Sequence, residues 1–165
     1  VRCIMASPVP RQYDVRTIAA SDTLPLREEV LWPGRPEMCP VPGDETALHL
    51  GAVSAPAGED AASEIIGVLS LFGAEAPGGR TQFRKLAVAP SWQGAGVGTR
   101  LVKDAAAAAR EAGAGVLYCH ARAAQAGFYE RLGFSKQGET FKKYGGDEYV
   151  EMELPLAIEG EGPAV

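Results

Sequence analysis

A chain of 165 residues, 46% hydrophobic and 22% charged, can bury its own core without metal or disulfide support. Its 16 Lys and Arg against 21 Asp and Glu leave a net charge of −5, which argues against a general nucleic-acid binder, whose face must be basic. Cys3, Cys39 and Cys119 are far apart and form no CxxC pair, and His49 and His120 stand at no zinc-ligand spacing, so neither a disulfide frame nor a metal site is expected.

No apolar run approaches the ~20 residues that span a bilayer, and no charged-then-apolar leader is visible, so no membrane partner and a cytoplasmic setting are expected. Residues 1–12 read as a loose lead-in. Residues 13–18 alternate like a strand and run into Ser21-Asp22-Thr23, the expected cap of a helix over residues 24–31, with Pro25 tolerated in its first turn. Trp32-Pro33-Gly34-Arg35-Pro36 stops it, and residues 37–45 are rich in turn formers. Residues 49–53 and 64–72 predict antiparallel strands joined by a polar loop, and residues 82–88 predict another strand.

Beyond Pro90 the pattern changes. Gln93-Gly94-Ala95-Gly96-Val97-Gly98-Thr99 opens an alanine-rich helix expected over residues 99–112, with Leu101, Val102, Ala105 and Ala109 on its apolar stripe and Gly113 ending it. Residues 116–121 predict a buried strand and residues 123–132 a helix closed by Gly133. Residues 134–141 and 148–154 predict a strand pair around Gly145-Gly146-Asp147. Residues 155–165 read as a flexible tail. Consecutive strands followed by a strand–helix–strand unit predict an α/β (α+β) layer, a mixed and mainly antiparallel sheet flanked by helices with one parallel pair. Residues 13–154 would form one domain.

The glycine segment carries chemistry. Glycines let a backbone approach a ligand, and the unpaired N–H groups at a helix start favour an anion such as a pyrophosphate. A P-loop would need a lysine before Thr99. A dinucleotide fingerprint would need glycine at position 99 and an acidic end to the next strand, which reads Cys119-His120-Ala121. Both readings weaken, and with them a nucleotide-linked oxidoreductase.

Leu86-x-Val88-x-Pro90-x-x-Gln93-Gly94-x-Gly96-Val97-Gly98-x-x-Leu101 resembles the acetyl-CoA motif of the GNAT N-acetyltransferase superfamily. Ala126-Gly127-Phe128-Tyr129-Glu130-Arg131-Leu132-Gly133-Phe134 resembles the helix and turn that follow it there. Residues 22–27, 35–36, 49–51, 118–122 and 137–139 are similar to the glyphosate N-acetyltransferase group. The resemblance implies a GNAT-type sheet with splayed central parallel strands and acetyl-CoA as co-substrate. It implies that Gln93, Gly94, Ala95, Gly96, Val97, Gly98 and Thr99 cradle the pyrophosphate, and that the strand of Leu86, Ala87 and Val88 lines the pantetheine arm. By the same resemblance Tyr129 protonates the leaving thiolate, and Arg84 and Arg122 hold an acidic acceptor, a group that a guanidinium fork binds in two places.

Two departures bear on the acceptor. A third substrate arginine of the glyphosate-acetylating group falls on Trp32, and the histidine proposed there to take the amine proton falls on Tyr149. The exchange suggests a less anionic, more apolar or aromatic acceptor and leaves the proton acceptor open between water and a carboxylate such as Glu139. His120, on the strand beside Arg122, is expected to have no chemical role. The expected partner is a small-molecule amine, and the chain itself a monomer or homodimer. A peptide or protein amine acetyltransferase and a non-catalytic acyl-CoA sensor remain the alternatives.

Overall fold

The computed structural model describes residues 11–56, 58, 60–73 and 77–156; of the lead-in expected over 1–12 and the tail expected over 155–165, residues 1–10 and 157–165 lie outside them. The tail expectation is corrected at its start, where Pro155 ends the last strand and Leu156 is buried with its N–H on Gly115 O. One seven-stranded sheet organises the chain. Its strands are β1 (Tyr13–Thr17), β2 (Leu48–Ser54), β3 (Ile65–Phe72), β4 (Arg80–Val88), β5 (Val116–Arg122), β6 (Ser135–Lys143) and β7 (Asp147–Pro155), in the spatial order β1-β2-β3-β4-β5-β7-β6. Every neighbouring pair is antiparallel except β4 and β5, so the mixed, mainly antiparallel sheet with one parallel pair is the one expected.

Helices α1 (Ala20–Leu26), α2 (Val97–Glu111) and α3 (Ala126–Arg131) cover the two faces. The pleat sends successive residues of β3 to opposite sides. Val68 packs with Leu26 and Ala87 beneath α1, whereas Gly67 lies under α2, where an added Cβ would come within 2.9 Å of both Leu101 Cδ1 and Val97 Cγ1. That missing side chain lets the start of α2 sit directly on the sheet. The larger core, on the α2 side, gathers Ile66, Leu69, Phe83, Leu101, Val102, Ala105, Leu117 and Met152, with Tyr129 and Phe134 at its edge.

Three local expectations are corrected. Ser21-Asp22-Thr23 is not a cap but the first turn of α1, which begins at Ala20 because Asp22 reaches back to accept the Ala19 N–H at 3.1 Å. The helix continues through Arg27–Leu31 with π-type bonding, and Trp32 N–H bonds back to Arg27 O at 3.1 Å. The helix expected over 123–132 is a 3₁₀ turn, Ala123–Gln125, followed by the shorter α3.

The π turn places Arg27 fully inside the molecule. Its Nη1 donates to Cys39 O (3.0 Å) and Asp44 Oδ2 (2.8 Å), its Nη2 to Asp44 Oδ1 (3.0 Å) and Ser70 Oγ (2.9 Å). Ser70 Oγ also meets His49 Nδ1 at 2.6 Å. Burial alone would raise the Asp44 carboxyl, but the Arg27 guanidinium and the Val41 N–H outweigh it and hold the group below its ordinary value. This network ties the first helical segment, the loop around Asp44 and strand β3 into one wall.

Candidate active site

β4 and β5 pair only over Arg80–Gln82 and Val116–Tyr118. Beyond those three rungs the two strands part, and the gap is a cleft of about 940 Å³. Leu86, Ala87 and Val88 line it from β4. Gln93, Gly94, Gly96, Val97, Gly98 and Thr99 line it at the start of α2, as does Tyr129 on α3. Arg84, Arg122, Trp32 and Tyr149 line it as well. Of the cofactor and substrate residues expected from the sequence, all but Ala95 line this space.

The glycine turn follows a 3₁₀ turn, Pro90–Trp92, and α2 starts two residues earlier than expected, at Val97 with Gly96 as its cap. Gly94 and Gly96 have φ of +78° and +84°, a region side-chain-bearing residues avoid. Gly98 has no such requirement. A Cβ there would make only ordinary contact with Phe128 and Val88, so the protein's own packing does not demand glycine at this position. Among the described residues, the amides of Gly94 through Thr99 donate to no protein acceptor, and the first turn of α2 carries no acidic side chain. These are the conditions under which a helix start holds an anion. Gln93 turns its Nε2 back onto Val88 O at 3.0 Å and so fixes the turn against the strand.

Tyr129 is buried among Phe83, Phe128 and Phe134, with ring centroids 5.0 to 5.9 Å away. Burial pushes its phenol above the ordinary value, with Cys119 adding to the effect, so it stays protonated through the working pH range. Cys119 also lines the cleft, and burial pushes its thiol up to about 12. A thiol in that state is not a nucleophile.

One end of the cleft is bounded by Trp32. Its indole meets Tyr144 edge to face at 5.1 Å and 75°, and Tyr144 meets Tyr149 at 5.9 Å and 72°. Trp32 is therefore a cleft residue. Arg84 approaches Tyr144 Oη at 3.5 Å. Glu139 lies elsewhere, in a shallow depression with Lys136 and Thr140, so it is not placed to take a proton from a group in the cleft. His120, expected to have no role, does line the cleft. Its Nδ1 accepts from Lys143 Nζ at 3.3 Å and its Nε2 faces Glu151 Oε2 at 3.3 Å, which assigns the ring proton to Nε2; burial and Lys143 lower its basicity.

Sequence reasoning missed Lys85, Lys143 and Tyr144, all of which line this end. No local pattern in the sequence marks Lys85; the sheet register does. Val68 pairs with Ala87 but Ser70 with Arg84, so β4 carries one extra residue, a bulge, and Lys85 sits in it at φ +58°.

Residues 57–136 match the family model described as an acetyltransferase (GNAT) domain. No curated protein matches the chain. Among solved structures, an N-acetyltransferase candidate from Lactobacillus plantarum superposes with a TM-score of 0.71 at 18% identity, covering 88% of this chain and 99% of that one. An IAA acetyltransferase from Bacillus cereus gives 0.66 at 17%, covering 88% and 100%. A GNAT family acetyltransferase from Elizabethkingia anophelis, solved with acetyl-CoA bound, gives 0.64 at 17%, covering 87% and 98%. At such identities the superpositions speak for the fold. Among the described residues, no helix is long and apolar enough to cross a membrane.

Proposed function

We propose that this chain, whose residues 57–136 match the acetyltransferase (GNAT) domain model, is an acetyl-CoA-dependent acetyltransferase that acts on the primary amine of a small molecule bearing an acidic group. Residues 13–154 act as one catalytic unit in this reading. The observation that carries it is the run of amides from Gly94 to Thr99, unpartnered among the described residues, opening into the same cleft as Tyr129 and the cations Arg84 and Arg122. A diphosphate at the turn directs its pantetheine arm along Leu86, Ala87 and Val88, toward the gap between β4 and β5.

Each residue then has a task. The arginine forks hold the acidic end of the acceptor, which turns a bimolecular encounter into an oriented one. The rings of Trp32, Tyr144 and Tyr149 wall the same end, which supports a compact, partly apolar acceptor over an extended peptide. The acceptor nitrogen attacks the thioester carbon directly, because the thiol in the cleft, Cys119, is held protonated and offers no covalent route. As the C–S bond breaks, Tyr129 donates a hydrogen bond to the sulfur. Its raised basicity makes full proton transfer to a thiolate of ordinary pKa ~8.5 uphill, so its contribution is to stabilise developing charge.

The test is release of CoA from acetyl-CoA across amino acids, amino-phosphonates, polyamines and aminoglycosides, repeated with Tyr129→Phe. Turnover with acidic amines, reduced about 10²-fold or more in kcat by Tyr129→Phe, is expected. Tight acetyl-CoA binding with no turnover on any amine would instead mark the chain as a sensor of the cofactor.

A further inference from the structure

We infer that Lys85 is the base that takes the proton from the acceptor amine, because the β4 bulge sets its side chain into the acceptor end of the cleft beside Trp32, Tyr144 and Arg84 with no carboxylate among the described residues pairing it. This rests on the acetyl-transfer reading and fills the role that reading leaves unassigned.

The geometry is particular to this residue. Two non-glycine residues have positive φ among the described residues, Lys85 at +58° and Tyr144 at +48°, and they meet at this end of the cleft. Nζ of Lys85 lies 5.2 Å from the Trp32 ring and 5.9 Å from the Tyr144 ring. A left-handed lysine in a strand is strained where a glycine would not be, and such strain is retained when the side chain it aims is used. Nζ donates to Met38 O at 3.1 Å, which fixes its position and leaves the lone pair of the neutral amine free.

The surroundings disfavour its charge. Burial comes first, then the cations Arg27 from the π turn and Arg84 from β4, and together they bring the ammonium down to about 8 against weaker opposing influences from Cys39 and Asp44. The groups facing it from the remaining elements are the rings of Trp32 and Tyr144, with Lys143 across the Tyr144 ring. Among the described residues Lys85 forms no ion pair. The other candidate base in the cleft, His120, has its acceptor nitrogen engaged by Lys143.

The step balances without a further reactant. Neutral Lys85 takes one proton from the acceptor ammonium, and the freed amine forms the C–N bond as the C–S bond breaks. Tyr129 holds the departing thiolate by a hydrogen bond, the second proton of the nitrogen passes to that sulfur, and Lys85 returns its proton to solvent. The products are the amide, CoA thiol and one proton.

The experiment is the pH profile of kcat/KM for the purified full chain, saturated with acetyl-CoA, with two acidic amines of different basicity. The expected result is a limb rising with pH and centred near 8 for both amines, since a limb that moved with the amine would belong to the substrate. Lys85→Arg keeps the cation but does not titrate in this range. It should lose roughly 10²-fold in kcat, leave the acceptor KM within about threefold, and abolish the limb. Lys85→Gly, which suits the left-handed backbone, should match that loss while remaining folded by circular dichroism. A wild-type kcat in Lys85→Arg, or a limb near the ordinary imidazole value that disappears in His120→Gln instead, would overturn the assignment. An absence of turnover by the wild-type chain with acetyl-CoA bound would refute the acetyl-transfer reading itself, whereas turnover indifferent to Lys85 would refute this inference alone.

Discussion

Replacing Arg27 by Met probes whether the wall of first helical segment, Asp44 loop and β3 is held electrostatically. Methionine keeps most of the side-chain volume, so the loss is chiefly polar. Four hydrogen bonds disappear, to Cys39 O, both Asp44 oxygens and Ser70 Oγ. The Asp44 carboxylate, 14% exposed, keeps only the Val41 N–H at 2.8 Å. Removing one partner of a buried ion pair costs about 3–5 kcal/mol. Two features place this case at the lower end: Asp44 retains some solvent, and the substitution removes Arg27 Nε, a buried donor that has no partner in the native chain. Ser70 also keeps His49. The expected loss is therefore about 3 kcal/mol, or roughly 6–12 °C in Tm for a chain of this size. Urea unfolding of Arg27→Met, Asp44→Asn and the double variant measures it, and the double variant should be more stable than the sum of the single losses predicts. Acetyl-CoA affinity should hardly change, because the network lies away from the glycine turn. A loss below about 1 kcal/mol, or strict additivity in the cycle, would show that the network contributes little and refute the reasoning.

Two further outcomes follow from the same structure. Asp44 titrates below its ordinary value, so its contribution is full above about pH 4 and vanishes as the pH falls through the lowered folded value; the stability gap between wild type and Asp44→Asn should narrow from pH 6 toward about pH 3, as read by thermal melts. A gap independent of pH would contradict the assignment. Gly67→Val adds a branched side chain where even a Cβ would stand 2.9 Å from Leu101 and Val97, and should destabilise by about 1–3 kcal/mol. Because Val97 is the first residue of α2, acetyl-CoA binding, measured by calorimetry, should weaken with it; unchanged affinity in the folded variant would uncouple the glycine turn from the sheet.

The sequence made legible what local chemistry dictates. Alternating glycines before an alanine-rich stripe announced the turn and helix α2, and strand alternation announced the sheet. The start of α1 was misplaced because Asp22 acts backward, as the third helical residue, where a polar cluster reads more simply as a cap. Arg27, His49, Asp44 and Ser70 converge from four separate segments, and no local pattern reports such a meeting. Lys85 was hidden for a related reason. A lysine beside an arginine in a strand reads as solvated charge, and only the sheet register shows the extra residue that turns it into the cleft. The divergence of β4 from β5 depends on where pairing stops, which is likewise a tertiary property.

The account stands on the glycine turn as the seat of a diphosphate. Titration of the folded chain with acetyl-CoA, alongside Gly96→Glu, tests this most directly, with amide shifts followed by NMR. Saturable binding with the largest shifts at Gly94 through Thr99, abolished by a carboxylate at position 96, is the predicted result. Unaltered binding by folded Gly96→Glu, or shifts confined to another part of the chain, would contradict it.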